Sequence, residues 1–150
     1  MDDLNDLYQQ VILDHCRNPR NFREMPDAHR KAEGNNPLCG DHFTIFVKME
    51  GDAMSEISFQ GAGCCISKAS GSLMSDTLKG KTIEEAKKCF AQFQQMVTSG
   101  NADEEELGKL CAFAGVHRFP MRVKCATLAW HALLASLKGD ATTSTEESKA

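Results

Sequence analysis

The chain reads as an α+β domain: a small antiparallel sheet of about three strands comes first, and helices then pack on one of its faces. Three observations predict this. Apolar and polar residues alternate from Phe43 to Phe59 around one polar turn. Gly61 and Gly63 then end the alternation, and every segment beyond them carries apolar residues at helical spacing. At 150 residues and 41% hydrophobic content, one core is expected.

Taken in order, Leu4, Leu7, Tyr8, Val11 and Ile12 fall at helical spacing behind Asp2 and Asp3, and Pro19 closes that helix. From Phe43 the period is two: Phe43, Ile45, Val47 and Met49 on one side, His42, Thr44, Lys48 and Glu50 on the other. "EGDA" supplies a turn and Ile57 and Phe59 resume the alternation, so residues 42–61 form a hairpin. Ile66, Ala69, Leu73 and Thr77 mark a helix that Gly80 stops. Thr82 and Glu85 make a capping box for the next one, whose stripe is Ile83, Ala86, Phe90, Phe93 and Val97. The polar link "SGNADEEE" leads to a shorter helix with Leu107, Leu110 and Cys111 inward, broken by "HRFP". A last helix starts near Met121, buries Cys125, Leu128, Ala129 and Ala132, and ends by Gly139. Residues 1–139 are thus the domain, and the apolar-poor tail 140–150, "DATTSTEESKA", is expected to be disordered.

Charge and hydropathy exclude several classes of partner. The formal charge is -4, and Arg17, Arg20, Arg23, Arg30 and Lys31 are spread out, so there is no basic footprint for nucleic acid. No apolar run approaches the roughly 20 residues of a membrane span. The start "MDDLNDLY" is acidic where a signal peptide is basic, which points to the cytoplasm. In a reducing compartment seven cysteines are unusual, and their odd number fits full pairing poorly.

Those seven sort by position. Cys89 and Cys111 lie on apolar helical stripes and read as small buried hydrophobes; Cys16, at the end of the first helix, reads as a bystander. Cys39, Cys64 and Cys125 instead stand at junctions between elements. The hairpin brings the entry of one strand beside the exit of the other, so Cys39, Asp41 and Cys64 gather at one end of the sheet. Asp41 shares parity with Phe43 and Ile45 and leans toward the core, where an unpaired charge is costly and a metal would satisfy it. Cys64 and Cys125 are placed at or just inside helix N-termini, which favour the thiolate. Three thiolates and a carboxylate around a divalent ion carry a formal charge near -2, and Arg122, three residues before Cys125, is the cation best placed to offset it. The residues alone leave two readings open: a metal site of Cys39, Asp41, Cys64 and Cys125, or scattered reduced cysteines.

At "NNPLCGD", "GAGCCISKASGSLM" and "FPMRVKCATLAWHALL" the sequence resembles the U-type iron-sulfur cluster assembly proteins, the superfamily of IscU and the NifU N-terminal domain, over most of residues 1–138. Within it the chain is more similar to the SufU type than to IscU scaffolds. Lys124 stands where those scaffolds have a histidine, and the long step from Cys64 to Cys125 accommodates the extra segment of SufU-type proteins, roughly residues 95–117. The resemblance implies a SufU/IscU-like fold and a zinc ion on Cys39, Asp41, Cys64 and Cys125. It also implies a sulfur acceptor, not a stand-alone enzyme, that serves a SufS-type pyridoxal-phosphate cysteine desulfurase. Cys39 is then the acceptor: it leaves the zinc, a histidine of the desulfurase replaces it, and it attacks the enzyme's persulfide. Sulfur passes on to a downstream Suf scaffold or to apo iron-sulfur proteins. A carboxylate among soft sulfurs also tolerates iron, so a scaffold for a transient iron-sulfur cluster is the alternative, and a zinc-stabilised interaction module is the third. Cys65 departs from the family pattern and reads as inert, or as a second thiol for sulfur relay. His42, His117 and His131 read as bystanders.

Overall fold

A computed structural model describes residues 3–145. Helix α1 (Asp3–Arg17) precedes strands β1 (Arg30–Asn36), β2 (Asp41–Glu50) and β3 (Ala53–Ala62). Then come α2 (Cys65–Leu78), α3 (Ile83–Ser99), the single turn α4 (Glu104–Leu107), a 3₁₀ segment (Gly108–Arg118), α5 (Pro120–Lys138) and β4 (Thr142–Ser144). The sheet order is β3-β2-β1-β4; β1 and β3 flank β2 antiparallel, and β4 pairs parallel with β1.

The expected α+β class and the β2–β3 hairpin are present, with Ile45 opposite Phe59 and Val47 opposite Ile57. The strand count is corrected from about three to four. In β1, "RKAEGNN", only Ala32 offers a buried apolar side chain, so pairing with β2 makes the strand and no alternation announces it. Strand β4 is the polar triplet Thr142–Ser144 inside the segment expected to be disordered. It is held by Glu33 N–H to Ala141 O at 2.8 Å and Thr145 N–H to Asn35 O at 2.9 Å. The rest of the expected tail, 146–150, lies outside the described residues.

Phe43, Ile45 and Val47 of β2 and Ile57 and Phe59 of β3 join the core built by α2, α3 and α5. Trp130 of α5 stacks on Phe93 of α3 at 4.6 Å, and its indole N–H donates to Ser70 of α2 at 3.1 Å. Gly34 of β1 lies beneath α5: a Cβ there would stand 3.1 Å from Ala132 Cβ and 3.2 Å from Leu128 Cδ1, so glycine permits the close approach. Phe46, of the opposite parity, is also buried, as is Met25 in the α1–β1 connection.

The capping box is formed as expected, with Glu85 N–H donating to Thr82 Oγ1 at 3.1 Å and Thr82 N–H to Glu85 Oε1 at 2.9 Å. The helix expected from Leu107 is instead one α-turn followed by 3₁₀ turns that bury Leu110, Cys111, Phe113 and Val116. Pro120 opens α5 at a position where its missing N–H costs nothing. Among the described residues no helix is long and apolar enough to cross a membrane.

Candidate metal centre

Cys39 sits in the tight turn of the hairpin between β1 and β2. The Asn36 carbonyl accepts N–H bonds from Cys39 at 3.1 Å and Gly40 at 2.8 Å, and Gly40 closes the turn at φ +76°. Asp41, opposite Asn36 in the register, is 1% exposed and faces the core as its parity predicts. Its Oδ1 accepts the Cys64 N–H at 2.9 Å, which ties the start of β2 to the end of β3. Cys64 is the N-cap of α2: its sulfur accepts the Ser67 N–H at 3.4 Å and its thiol donates to the Ser67 hydroxyl oxygen at 3.5 Å. Cys125 lies one turn of α5 before Leu128, on the helix packed against β1, and is 2% exposed.

Three of the four side chains converge. Cys39, Asp41 and Cys125 offer ligand atoms all within 4.8 Å of one another, with the two sulfurs 3.7 Å apart. Cys64 Sγ joins through Asp41 Oδ2, at 3.9 Å. A tetrahedral ion with metal–sulfur bonds of about 2.3 Å sets its ligands about 3.8 Å apart. Cys39, Asp41 and Cys125 therefore fit a zinc-like ion in both chemistry and spacing, while Cys64 stands outside that group as placed.

Electrostatics separates the thiols. The Cys125 thiol donates to Cys64 and holds Cys64 down at about 6 against its burial, with Ser67 reinforcing the effect. The same bond pushes the Cys125 thiol up, as do burial and the Asp41 carboxylate. Cys125 is also the sixth residue of α5, beyond the first turn where the helix end favours a thiolate. The expectation that both cysteines gain from helix N-termini holds for Cys64 and is corrected for Cys125.

The remaining groups are placed as follows. Arg122 is exposed, its guanidinium over the Phe119 ring at 4.4 Å. It lines a cleft of about 910 Å³ together with Cys39, Cys64 and Cys125. Val116 of the 3₁₀ segment and Leu13 of α1 supply apolar wall, so the extra segment borders the site. Lys124 is partly buried. Cys65 also lines the cleft, yet burial and a hydrogen bond with Cys16 push its thiol up to about 12, which leaves it a poor nucleophile. Cys89 is half-buried on α3, not fully buried as expected, and Cys111 is buried. His42 faces solvent beside Glu33 at 3.2 Å, His117 bonds the Ala114 carbonyl at 2.9 Å, and His131 meets the Phe90 ring edge-on. Sequence reasoning missed Asn36: fully buried, its amide donates to Cys125 Sγ at 3.5 Å. The only signal was its place in "NNPLCGD".

Residues 7–126 match the model of the NifU-like N-terminal domain. The zinc-dependent sulfurtransferase SufU of Bacillus subtilis is 44% identical over 131 residues, covering 87% of this chain and 88% of that one. The iron-sulfur cluster assembly scaffold protein IscU of Streptococcus pyogenes is 42% identical over 139 residues, 92% of this chain and 87% of its own. Among solved structures, a protein assigned as the iron-sulfur cluster assembly scaffold for the SUF system of Fervidobacterium islandicum superposes with a TM-score of 0.81 at 34% identity. That match covers 89% of this chain and 98% of the other.

Proposed function

Since the chain belongs to the family of NifU-like N-terminal domains, we propose that it serves iron-sulfur cluster biogenesis as a zinc-dependent acceptor of persulfide sulfur from a SufS-type cysteine desulfurase. The name of the B. subtilis relative supports the zinc-dependent transfer. One observation in the site carries the reading: of four clustered donors, Asp41 and Cys125 are buried and Cys64 is half-buried, whereas Cys39 is exposed on a turn closed by Gly40. One thiol can therefore swing out while three groups hold their places.

Cys39, Asp41, Cys64 and Cys125 are the residues that would hold zinc, which keeps thiols deprotonated without redox chemistry of its own. The Cys39 thiolate attacks the outer sulfur of the partner's persulfide. The S–S bond there breaks, its electron pair leaves with the partner's thiolate, and Cys39 carries the sulfane sulfur away. Arg122, at the cleft rim, offsets the negative charge gathered as two thiolates approach. The outlet is a downstream Suf scaffold or an apo iron-sulfur protein.

The test is direct. Incubating the zinc-loaded chain with a SufS-type desulfurase and cysteine should add one sulfur to Cys39 by mass spectrometry and speed desulfurase turnover. Cys39→Ala should lose both, and an unstimulated desulfurase with the wild-type chain would sink the proposal. A second reading, assembly of a cluster on the same four residues, draws on the similarity to a named IscU scaffold at 42% identity. It requires that anaerobic reconstitution yield a cluster that moves to an apo-acceptor in competition with zinc.

A further inference from the structure

Asn36 is the last residue of β1, with no exposed surface, and every polar group it brings to this corner is engaged. Its backbone carbonyl accepts the N–H groups of Cys39 and Gly40, which sets the turn that carries the exposed thiol. Its side-chain amide donates to Cys125 Sγ at 3.5 Å. Its amide oxygen accepts the Thr145 hydroxyl at 3.1 Å. The two contacts are consistent with one orientation of the amide. An asparagine side chain can present either its NH₂ or its oxygen to a neighbour; a metal-bound sulfur can only accept, so the NH₂ faces Cys125 and the oxygen is left for the Thr145 hydroxyl, which donates.

We propose that Asn36 is a positioning residue for the metal centre: its N–H group stabilises the Cys125 sulfur as a ligand, and the C-terminal strand β4 keeps it in that orientation through Thr145. The proposal rests on the metal reading above. Its energetic basis is that a buried thiolate gains when an N–H points at it, and that such outer partners govern both affinity and ligand basicity. It also gives β4 a role. Thr145 is anchored independently by its own N–H to the Asn35 carbonyl at 2.9 Å, so its hydroxyl is delivered to Asn36 by the backbone pairing of β4 with β1.

Zinc affinity should be measured on the full chain by competition with a chromophoric chelator, for wild type, Asn36→Ala, Thr145→Val and Thr145→Ser. The sulfur-to-metal charge-transfer band of the cobalt(II)-loaded forms should be recorded alongside. Asn36→Ala should weaken zinc by about 10–100-fold. Thr145→Val, which keeps the backbone bond, should weaken it less, by about threefold or more. Both should shift the cobalt band to longer wavelength, because a sulfur stripped of its hydrogen bond is easier to oxidise; Thr145→Ser should match wild type. If Asn36→Ala fails to fold, Thr145→Val decides. Wild type binding zinc tightly, with the variants unchanged in affinity and band position, overturns the role of Asn36 alone. Wild type binding neither zinc nor cobalt overturns the metal reading, and this inference with it.

Discussion

Asp41 places a carboxylate at 1% exposure among thiols, where it accepts an N–H from Cys64 at 2.9 Å. Burying a charge on such terms is costly, and a bound cation is what would reverse the cost. Asp41→Asn keeps an oxygen for the Cys64 N–H and removes the charge. Thermal melts should therefore show the metal-free variant above metal-free wild type, by about 2–4 °C per kcal/mol recovered. Zinc should raise the melting temperature of the variant less than that of wild type. A variant that melts lower without metal would show the carboxylate to be structural. The direction in which Asp41 points was legible from its parity with Phe43 and Ile45. The donor facing Cys125 was not, because Asn36 meets that sulfur only once β1 is folded beneath α5.

Between elements, α1 docks on α2 through His15, which is 4% exposed and lies 2.6 Å from Ser72 Oγ through Nδ1. Ser72 also accepts the Arg20 N–H at 2.8 Å, which leaves its own proton for His15. Burial holds His15 below its ordinary value of 6.5; Arg20 adds to this, and Asp14 and Asp76 oppose it. The unfolded chain therefore takes up a proton near 6.5 that the folded chain resists. Stability from this group is complete above that pH and is lost as pH falls through the folded value. Unfolding free energies of the metal-free protein between about pH 7.5 and pH 5 should fall more steeply for wild type than for His15→Gln. Equal slopes would remove His15 from the linkage. Metal-free protein is needed because acid also protonates the cysteines that would hold a metal and so releases it.

Across the described residues, the core does not run through the candidate metal centre. Trp130 stacks between Phe90 and Phe93, and the inner faces of β2 and β3 pack on α2 and α5 in a cluster that includes none of the four candidate donors. Chelating zinc should leave the far-ultraviolet dichroism and a cooperative melt in place, with the midpoint lowered according to the binding energy lost. Collapse of helical signal, or of the emission of Trp130, the one tryptophan in the chain, would instead mark a domain that folds only with metal. Sulfur transfer needs the first outcome, since a ligand that leaves must not take the fold with it.

Local signals in the sequence were sufficient for the β2–β3 hairpin, the Thr82–Glu85 capping box, the α5 stripe and the gathering of Cys39, Asp41 and Cys64, because each depends on neighbours in the chain or on one tight turn. Strands β1 and β4 were not legible, since "RKAEGNN" and "TTS" bury almost nothing apolar and become strands only by hydrogen bonding to distant segments. The 3₁₀ turns beside the cleft likewise follow from packing against α1 and α3. Tertiary structure decided how Cys125 reaches the corner and what meets it there. Its helix is drawn close over Gly34, and the buried Asn36 two residues along β1 faces its sulfur. No residue spacing encodes that contact, because the two partners lie 89 positions apart and meet only across a packed interface.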